Sequence, residues 1–334
     1  MEDFEEDDHL IEFIEYYSTK KFERKKVHLV LNGDILDLVQ TDVQGSYSHI
    51  QTEEYICKAL QSILDGHKEL FEALGKFAKT HKLSYVIGNH DQGMSWPAAQ
   101  KLFSLTLGTE ISFHHKLEIS GIHIEHGHRF EAINTVPPLK MFIDGPNGQK
   151  ILNLPWASLF CLNLLPRLKK ERPYLDKVRP LSLYIKWSMF HDFYFFCRLS
   201  YTVIRYLIRT AKPEYLKINK NYLTNWRLLK RITIYPRYAK QAKRILKRKS
   251  HIHTVVMGHT HISEWRRFPE GKYYLNSGTW NDIPTVDAGL HENVTKLTYI
   301  CIDLNEKSGV VNSRNLNIWQ GTWKPFRAES VLLK

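Results

Sequence analysis

The 334-residue chain predicts an α/β fold that carries one large helical insertion. Two observations predict it. Four short polar motifs each stand directly behind an apolar, strand-like run, at 27–32, 83–87, 122–125 and 253–257, with helical patterns between them. Residues 131–250 then break the rhythm: charge and composition change together, and strand patterns resume only beyond 250.

Taken in order, the elements are justified as follows. Residues 3–19 read as a helix, because Phe4, Leu10, Ile11, Phe13, Ile14 and Tyr17 form a stripe and acidic residues crowd the first turns, where a helix dipole favours them. A strand follows at 27–33, a polar loop at 39–50 and a helical stretch at 52–80. A strand at 84–88 leads to a helix that Pro97 starts and that runs to about 106. Strands are expected near 110–119 and 121–126, and again near 253–257, 272–276, 296–303 and 309–313. No repeat divides the chain, which is long enough to bury a sizeable core. The expected division is one catalytic unit from 1–130 and 251–334, with 131–250 inserted as a basic, apolar helical cap.

The four motifs are Gly33-Asp34-Ile35-Leu36-Asp37, Gly88-Asn89-His90-Asp91, His126-Gly127-His128 and Gly258-His259-Thr260-His261. Singly, each reads as a turn or a polar loop. Together, each behind a strand, they bring oxygen and imidazole ligands to one place, which is how a fold builds a hydrolytic metal centre. Two divalent ions about 3.5–4 Å apart need one ligand that touches both, and a carboxylate can bridge where an imidazole cannot. Asp34 is the candidate bridge. Asn89 offers an amide oxygen suited to Mn²⁺, Fe²⁺ or Zn²⁺, and His126, His259 and His261 offer ring nitrogens. His90, directly after Asn89, is placed to protonate a leaving oxygen or to steady phosphoryl charge. Asp37, three residues beyond the bridge, is placed to hold the second nitrogen of His90.

This order of motifs resembles the calcineurin-like metallophosphoesterase superfamily, whose pattern runs Asp-x-His, Gly-Asp-x-x-Asp, Gly-Asn-His-Asp/Glu, a mid-chain His and Gly-His-x-His. The likeness covers roughly 1–130 and 250–305, and Asn276-Ser277-Gly278-Thr279-Trp280 resembles the strand and turn that follow the last motif in many members. The resemblance implies a four-layer αββα β-sandwich and a binuclear centre. Asp34 would bridge, Asn89, His126 and His259 would hold one ion, His261 would hold the other, and His90 would be the catalytic histidine, paired with Asp37. It implies hydrolysis of a phosphoester or pyrophosphate by metal-bound hydroxide, with Mn²⁺ the first expectation and Fe²⁺ or Zn²⁺ the alternatives. The departure is at the start. No Asp-x-His on a strand precedes Gly33, and Asp7-Asp8-His9 has the spelling inside a helical pattern. The expectation is that the first strand and its Asp-x-His lie upstream of Met1. Without them the first ion would keep only Asp34 and His261, too few protein ligands for a tight site.

The insertion is the second informative region. Residues 131–250 carry a net charge of +19, against −7 for the rest of the chain. Residues 151–166 hold no charge, 187–209 are apolar and punctuated by Arg198, Arg205 and Arg209, and 240–249 are strongly basic. The first run is too short to span a membrane and contains Pro155, and the second carries arginines within it. Such helices fit a self-packing cap, or contact with an anionic membrane surface or an acylated substrate. Nucleic acid is disfavoured, because the basic residues flank apolar helices instead of lining a polar groove. A cap of this kind is similar to that of the UDP-2,3-diacylglucosamine pyrophosphatases, which implies a lipid-linked or nucleotide-linked diphosphate as substrate. Those enzymes typically have Arg where this chain has His90 and Asp where it has His128. The alternatives are a general phosphomonoesterase or phosphodiesterase, which His90 favours, and a truncated, weakly active membrane- or nucleic-acid-binding remnant. Cys57, Cys161, Cys197 and Cys301 are scattered, which excludes zinc-finger and thioredoxin-like patterns and fits reduced thiols. The expected location is cytoplasmic, peripheral on the inner membrane face.

Overall fold

The computed structural model describes residues 4–43, 48–146, 148–172, 181–210, 237–281, 297–321 and 329–331. Among the described residues the fold is mixed α/β, with several sheets and no barrel. The elements run α1 (Asp7–Tyr17), α2 (Lys20–Glu23), β1 (His28–Asn32), α3 (Glu53–Gly66), α4 (Lys68–Thr80), β2 (Lys82–Val86), α5 (Pro97–Leu107), β3 (Ser112–His114), β4 (Leu117–Ile119) and β5 (Ile122–Ile124). The insertion contributes β6 (Phe142–Asp144), β7 (Lys150–Leu152), α6 (Trp156–Asn163), α7 (Leu165–Lys169), α8 (Leu181–His191), α9 (Phe193–Thr210) and α10 (Tyr238–Arg248). The chain then forms β8 (Thr254–Met257), β9 (Ser263–Phe268), β10 (Lys272–Ser277), β11 (Thr298–Leu304), β12 (Val311–Trp319) and β13 (Glu329–Val331).

Local chemistry sets several boundaries. The Thr52 side chain caps α3 by accepting from the Tyr55 amide, and Pro97 opens α5. The helical stretch expected at 52–80 is two helices: the chain turns out of α3 at His67, whose ring pairs with Asp7 at 2.6 Å. The strand expected near 110–119 divides into β3 and β4, which join different sheets. The sequence reading missed β9, whose charged Glu264, Arg266 and Arg267 hide its register, and the short β6–β7 hairpin inside the insertion.

Three sheets form the body. β1-β2-β3 is parallel throughout, β4-β5-β8-β10-β9 is mixed, and β11-β12-β13 is antiparallel. Period-two alternation gives each strand two apolar faces. On β1 and β2, Leu31, Leu83 and Tyr85 join the core with Phe71, Phe77 and Phe103 of the helices. Val30 and Val86 look the other way and meet Ile122, Ile124 and Val256 of the mixed sheet and Ile300 and Ile302 of the third. On β8, Val255 and Met257 turn to α10, whose Tyr238, Ala242 and Leu246 cover them. In the insertion, Leu152, Leu154 and Leu162 enter the main core, while α7 and α9 share a small cluster of Leu164, Leu168 and Phe195. Among the described residues no helix is long and apolar enough to cross a membrane.

Candidate metal centre

Strand registry brings four loops together. Asn32 at the end of β1 pairs with Val86 at the end of β2, and Ile124 of β5 with Val256 of β8, so within each sheet two parallel strands release their polar loops side by side. The sheets are tied at that level. His126 Nδ1 donates to the carbonyl of Asn32 at 2.8 Å, the Gly258 amide donates to the carbonyl of His126 at 2.9 Å, and Asn276 Nδ2 donates to the carbonyl of Gly258 at 2.8 Å.

The approach is close enough to demand glycine twice. Gly33 has φ +76°, and a Cβ there would fall 2.5 Å from His126 Nδ1. A Cβ on Gly88 would overlap Asp34 Oδ1 and come within 2.5 Å of the Asp34 amide. Asp34, His259 and His261 all hold positive φ, at 53°, 68° and 61°, in the left-handed region that costs ordinary residues energy. Strain of that kind at three of the singled-out positions is what a functional loop tolerates when its surroundings over-determine it.

Among the described residues one group of potential ligands converges: Asp34, His126 and His259 each offer an atom, all within 4.8 Å of one another. Asp34 Oδ1 accepts from the His90 amide at 2.8 Å, and Asp34 Oδ2 lies 2.9 Å from His126 Nε2. That second contact lacks hydrogen-bond direction, since Nε2 is buried without a hydrogen-bond partner and its ring proton is already committed to Asn32 on Nδ1. His259 Nδ1 and Asn89 Oδ1 are likewise buried and unpartnered. Each such orphan costs about 1–3 kcal/mol. The bare nitrogens of His126 and His259 beside the Asp34 carboxylate fit a divalent ion of borderline hardness, and the Asn32 carbonyl fixes the tautomer that ligation by His126 needs. His261 is half-buried and lies outside this group.

Beside the group, His90 Nδ1 lies 3.1 Å from Asp37 Oδ1. Burial opposes charge on His90, but Asp37 and Asp34 outweigh it and push its pKa up to about 10. Burial also opposes charge on Asp37, yet His90 outweighs it and lowers its pKa. His128 goes the other way: burial keeps it neutral.

Sequence reasoning gave no role to Asp91, although it closes the Gly-Asn-His-Asp motif. Its carboxylate is fully buried and accepts from the Gly88 amide at 2.5 Å, the Ile35 amide at 3.0 Å and the Tyr85 hydroxyl at 2.5 Å. It therefore locks the Asp34 loop to the Asn89 loop. Glu131, Asn134 and Tyr238 were also missed. Glu131 and Tyr238 touch across 107 residues of sequence, and no local pattern announces such a pair.

Asp7 and His9 take no part in the group. Asp7 pairs with His67, and His9 with Glu6 at the exposed start of α1. Two adjoining cavities open beside the loops. A narrow one is lined by Gly88, His128, Arg129 and Asn134. The other, of about 370 Å³, is lined by Phe113, His114, Leu139 and Phe142. They share Ile87, His115, Pro138 and Met141, and no carboxylate lines either.

No family model matches the chain, and no curated protein matches it significantly.

Proposed function

We propose that the chain is a metal-dependent phosphoester or pyrophosphate hydrolase built on the metallophosphoesterase plan. The observation that carries this reading is the convergence of Asp34, His126 and His259, with bare buried nitrogens on the two histidines, next to the His90–Asp37 pair. The layering supports the same plan. Helices α1 and α3–α5 cover one face of β1-β2-β3, the mixed sheet packs on its other face, and α10 covers the far side, an αββα order.

Asp34, His126 and His259 would hold one divalent ion with the help of the Asn89 oxygen, and Asp34 with His261 would serve a second. Mn²⁺ is the first choice, with Fe²⁺ or Zn²⁺ as alternatives. A divalent ion there lowers the pKa of water and withdraws charge from a phosphoryl oxygen. His90, with Nδ1 held by Asp37, keeps Nε2 to protonate the leaving oxygen. Arg129, on the wall of the narrow cavity, offers charge to a second anionic group. The larger cavity has room for more than a phosphoryl group, which fits a lipid-linked or nucleotide-linked diphosphate, as in the UDP-2,3-diacylglucosamine pyrophosphatases. The exposed aromatic side chains of α8 and α9, with basic neighbours, fit peripheral contact with an anionic, cytoplasm-facing membrane surface.

A second reading, a weakly active binding module with one structural ion, draws on the position of His261 outside the ligand group. One experiment separates the two: metal content per chain after purification in Mn²⁺, with hydrolysis of bis-p-nitrophenyl phosphate on the same sample. Bound metal with hydrolysis supports the enzyme, and bound metal without it supports the module. A chain that takes up no ion overturns both.

A further inference from the structure

His259 differs from His126 in how it is oriented. His126 is fixed by a backbone carbonyl of the neighbouring sheet. His259 sits at positive φ, beyond the last residue of β8, and its ring is held from outside by the insertion. Its Nε2 lies 3.1 Å from Glu131 Oε2. Glu131 is held in turn from both ends of the insertion: Asn134 Nδ2 donates to Oε2 at 2.6 Å, and the hydroxyl of Tyr238, on α10, donates to Oε1 at 3.0 Å. Tyr238 is buried, with its ring 6.1 Å from that of His259.

We infer that Glu131 is a positioning residue for the metal centre, and that the insertion completes the centre by setting the tautomer of His259 through Glu131, Asn134 and Tyr238. A carboxylate can only accept, so the contact at Nε2 places the ring proton there. The Asn134 amide also approaches Nε2, at 3.3 Å, but the closer carboxylate has no proton to give and decides the tautomer. Nδ1 is then bare, and it is the buried, unpartnered nitrogen. The opposite tautomer would put a proton where the ligand lone pair is needed. A carboxylate behind a ligating histidine also raises its basicity, and such partners are typically worth about 10–100-fold in metal affinity.

This inference rests on the metal-site reading, and the test keeps the two apart. Mn²⁺ binding to the metal-stripped full chain is measured by calorimetry for wild type, Glu131→Ala, Glu131→Gln and Tyr238→Phe, alongside melting of the stripped proteins. Histidine ¹⁵N spectra of the stripped proteins, with His259→Gln to identify the signal, report the tautomer without metal. Glu131→Ala is expected to weaken Mn²⁺ binding about 10–100-fold and to move His259 away from the Nε2–H form. Glu131→Gln, which keeps an acceptor oxygen, is expected to recover part of both. Tyr238→Phe is expected to cost a few-fold, since one of the contacts to Glu131 remains. Unchanged affinity and tautomer in Glu131→Ala, with only its melting lowered, overturns the inference. Wild type that binds no Mn²⁺ overturns the metal reading instead, and the tautomer spectra then still decide whether Glu131 sets His259.

Discussion

The loops at the strand ends and the helices α8 and α9 are opposite solutions to the same problem of placing functional groups. In the loops, buried polar groups are cross-linked by named hydrogen bonds. Asp91 takes three donors, His126 holds Asn32, and buried orphan nitrogens remain on His126 and His259 of the ligand group. On α8 and α9 the exception is apolar: Phe190, Phe193 and Tyr194 are 76%, 64% and 77% exposed. A buried polar orphan and an exposed aromatic are both unmet needs. The first calls for an ion or a proton, the second for an apolar or amphipathic surface. The difference teaches that the two regions fail differently when altered. Loop changes should abolish chemistry, and helix changes should leave the fold and its chemistry intact.

The sharpest way to break that contrast is at Asp34. Asp34→Ala removes the carboxylate that two loops share, one through the His90 amide and the other through His126. Activity against bis-p-nitrophenyl phosphate is expected to fall by more than the roughly 10–100-fold typical of an outer partner, and metal content is expected to fall with it. Retained metal and activity would remove the loops from the chemistry altogether. His90→Gln comes next. The histidine is not in the ligand group, so metal content should hold while kcat drops about 10²–10⁴-fold. A loss of metal in that variant would make His90 a ligand instead of a proton donor.

These two variants test what was legible in the sequence, and the reasons differ by residue. That Asp34, His126 and His259 come together could be anticipated because each follows a short apolar strand, so strand pattern and motif reinforce each other. The His90–Asp37 contact, although long-range, could be anticipated because both residues sit in motifs that end adjacent strands. Glu131 and Tyr238 could not, because their contact is made by the return of α10 onto β8 and β10, which no window of sequence contains. β9 was hidden because its exposed Arg266 and Arg267 alternate poorly with Trp265. The break between α3 and α4 was hidden because His67 is not a typical breaker, and its partner Asp7 lies 60 residues away.

A smaller effect distinguishes the two regions by pH. His123 on β5 is buried between Glu118 at 2.7 Å and Glu125 at 2.9 Å. Burial works against its charge, but Glu125 and Glu118 outweigh it and raise its pKa above the ordinary value of 6.5. A raised folded-state value means that the stabilisation is fully present below the unfolded pKa and is lost as pH climbs through the folded one. Melting of the metal-free chain should therefore fall as pH rises above the ordinary histidine value of 6.5, and fall less in His123→Gln. An equal slope in both proteins would mean that the carboxylates do not hold a charged ring.

The smallest effect on the fold is expected on α8 and α9, and it tests the other half of the contrast. Phe193, Cys197, Tyr201 and Ile204 are all exposed and recur at the spacing of one helix face, with exposed Arg205 beside them. A buried aromatic such as Phe103, truncated to Ala, should cost about 3–5 kcal/mol. Phe190→Ser, Phe193→Ser and Tyr194→Ser should each change stability by no more than about 0.5 kcal/mol, because all three side chains are largely exposed. Vesicle binding is where they should register. Wild type is expected to sediment with anionic vesicles at low salt, partly release at high salt as screening shortens the reach of the arginines, and lose most binding in the triple variant at either salt. Binding that vanishes with salt yet survives the triple variant would assign the contact to charge alone. Absence of binding in wild type would leave these aromatics as an outward face of a packing cap, and would shift the substrate argument from lipid-linked to water-soluble phosphoesters.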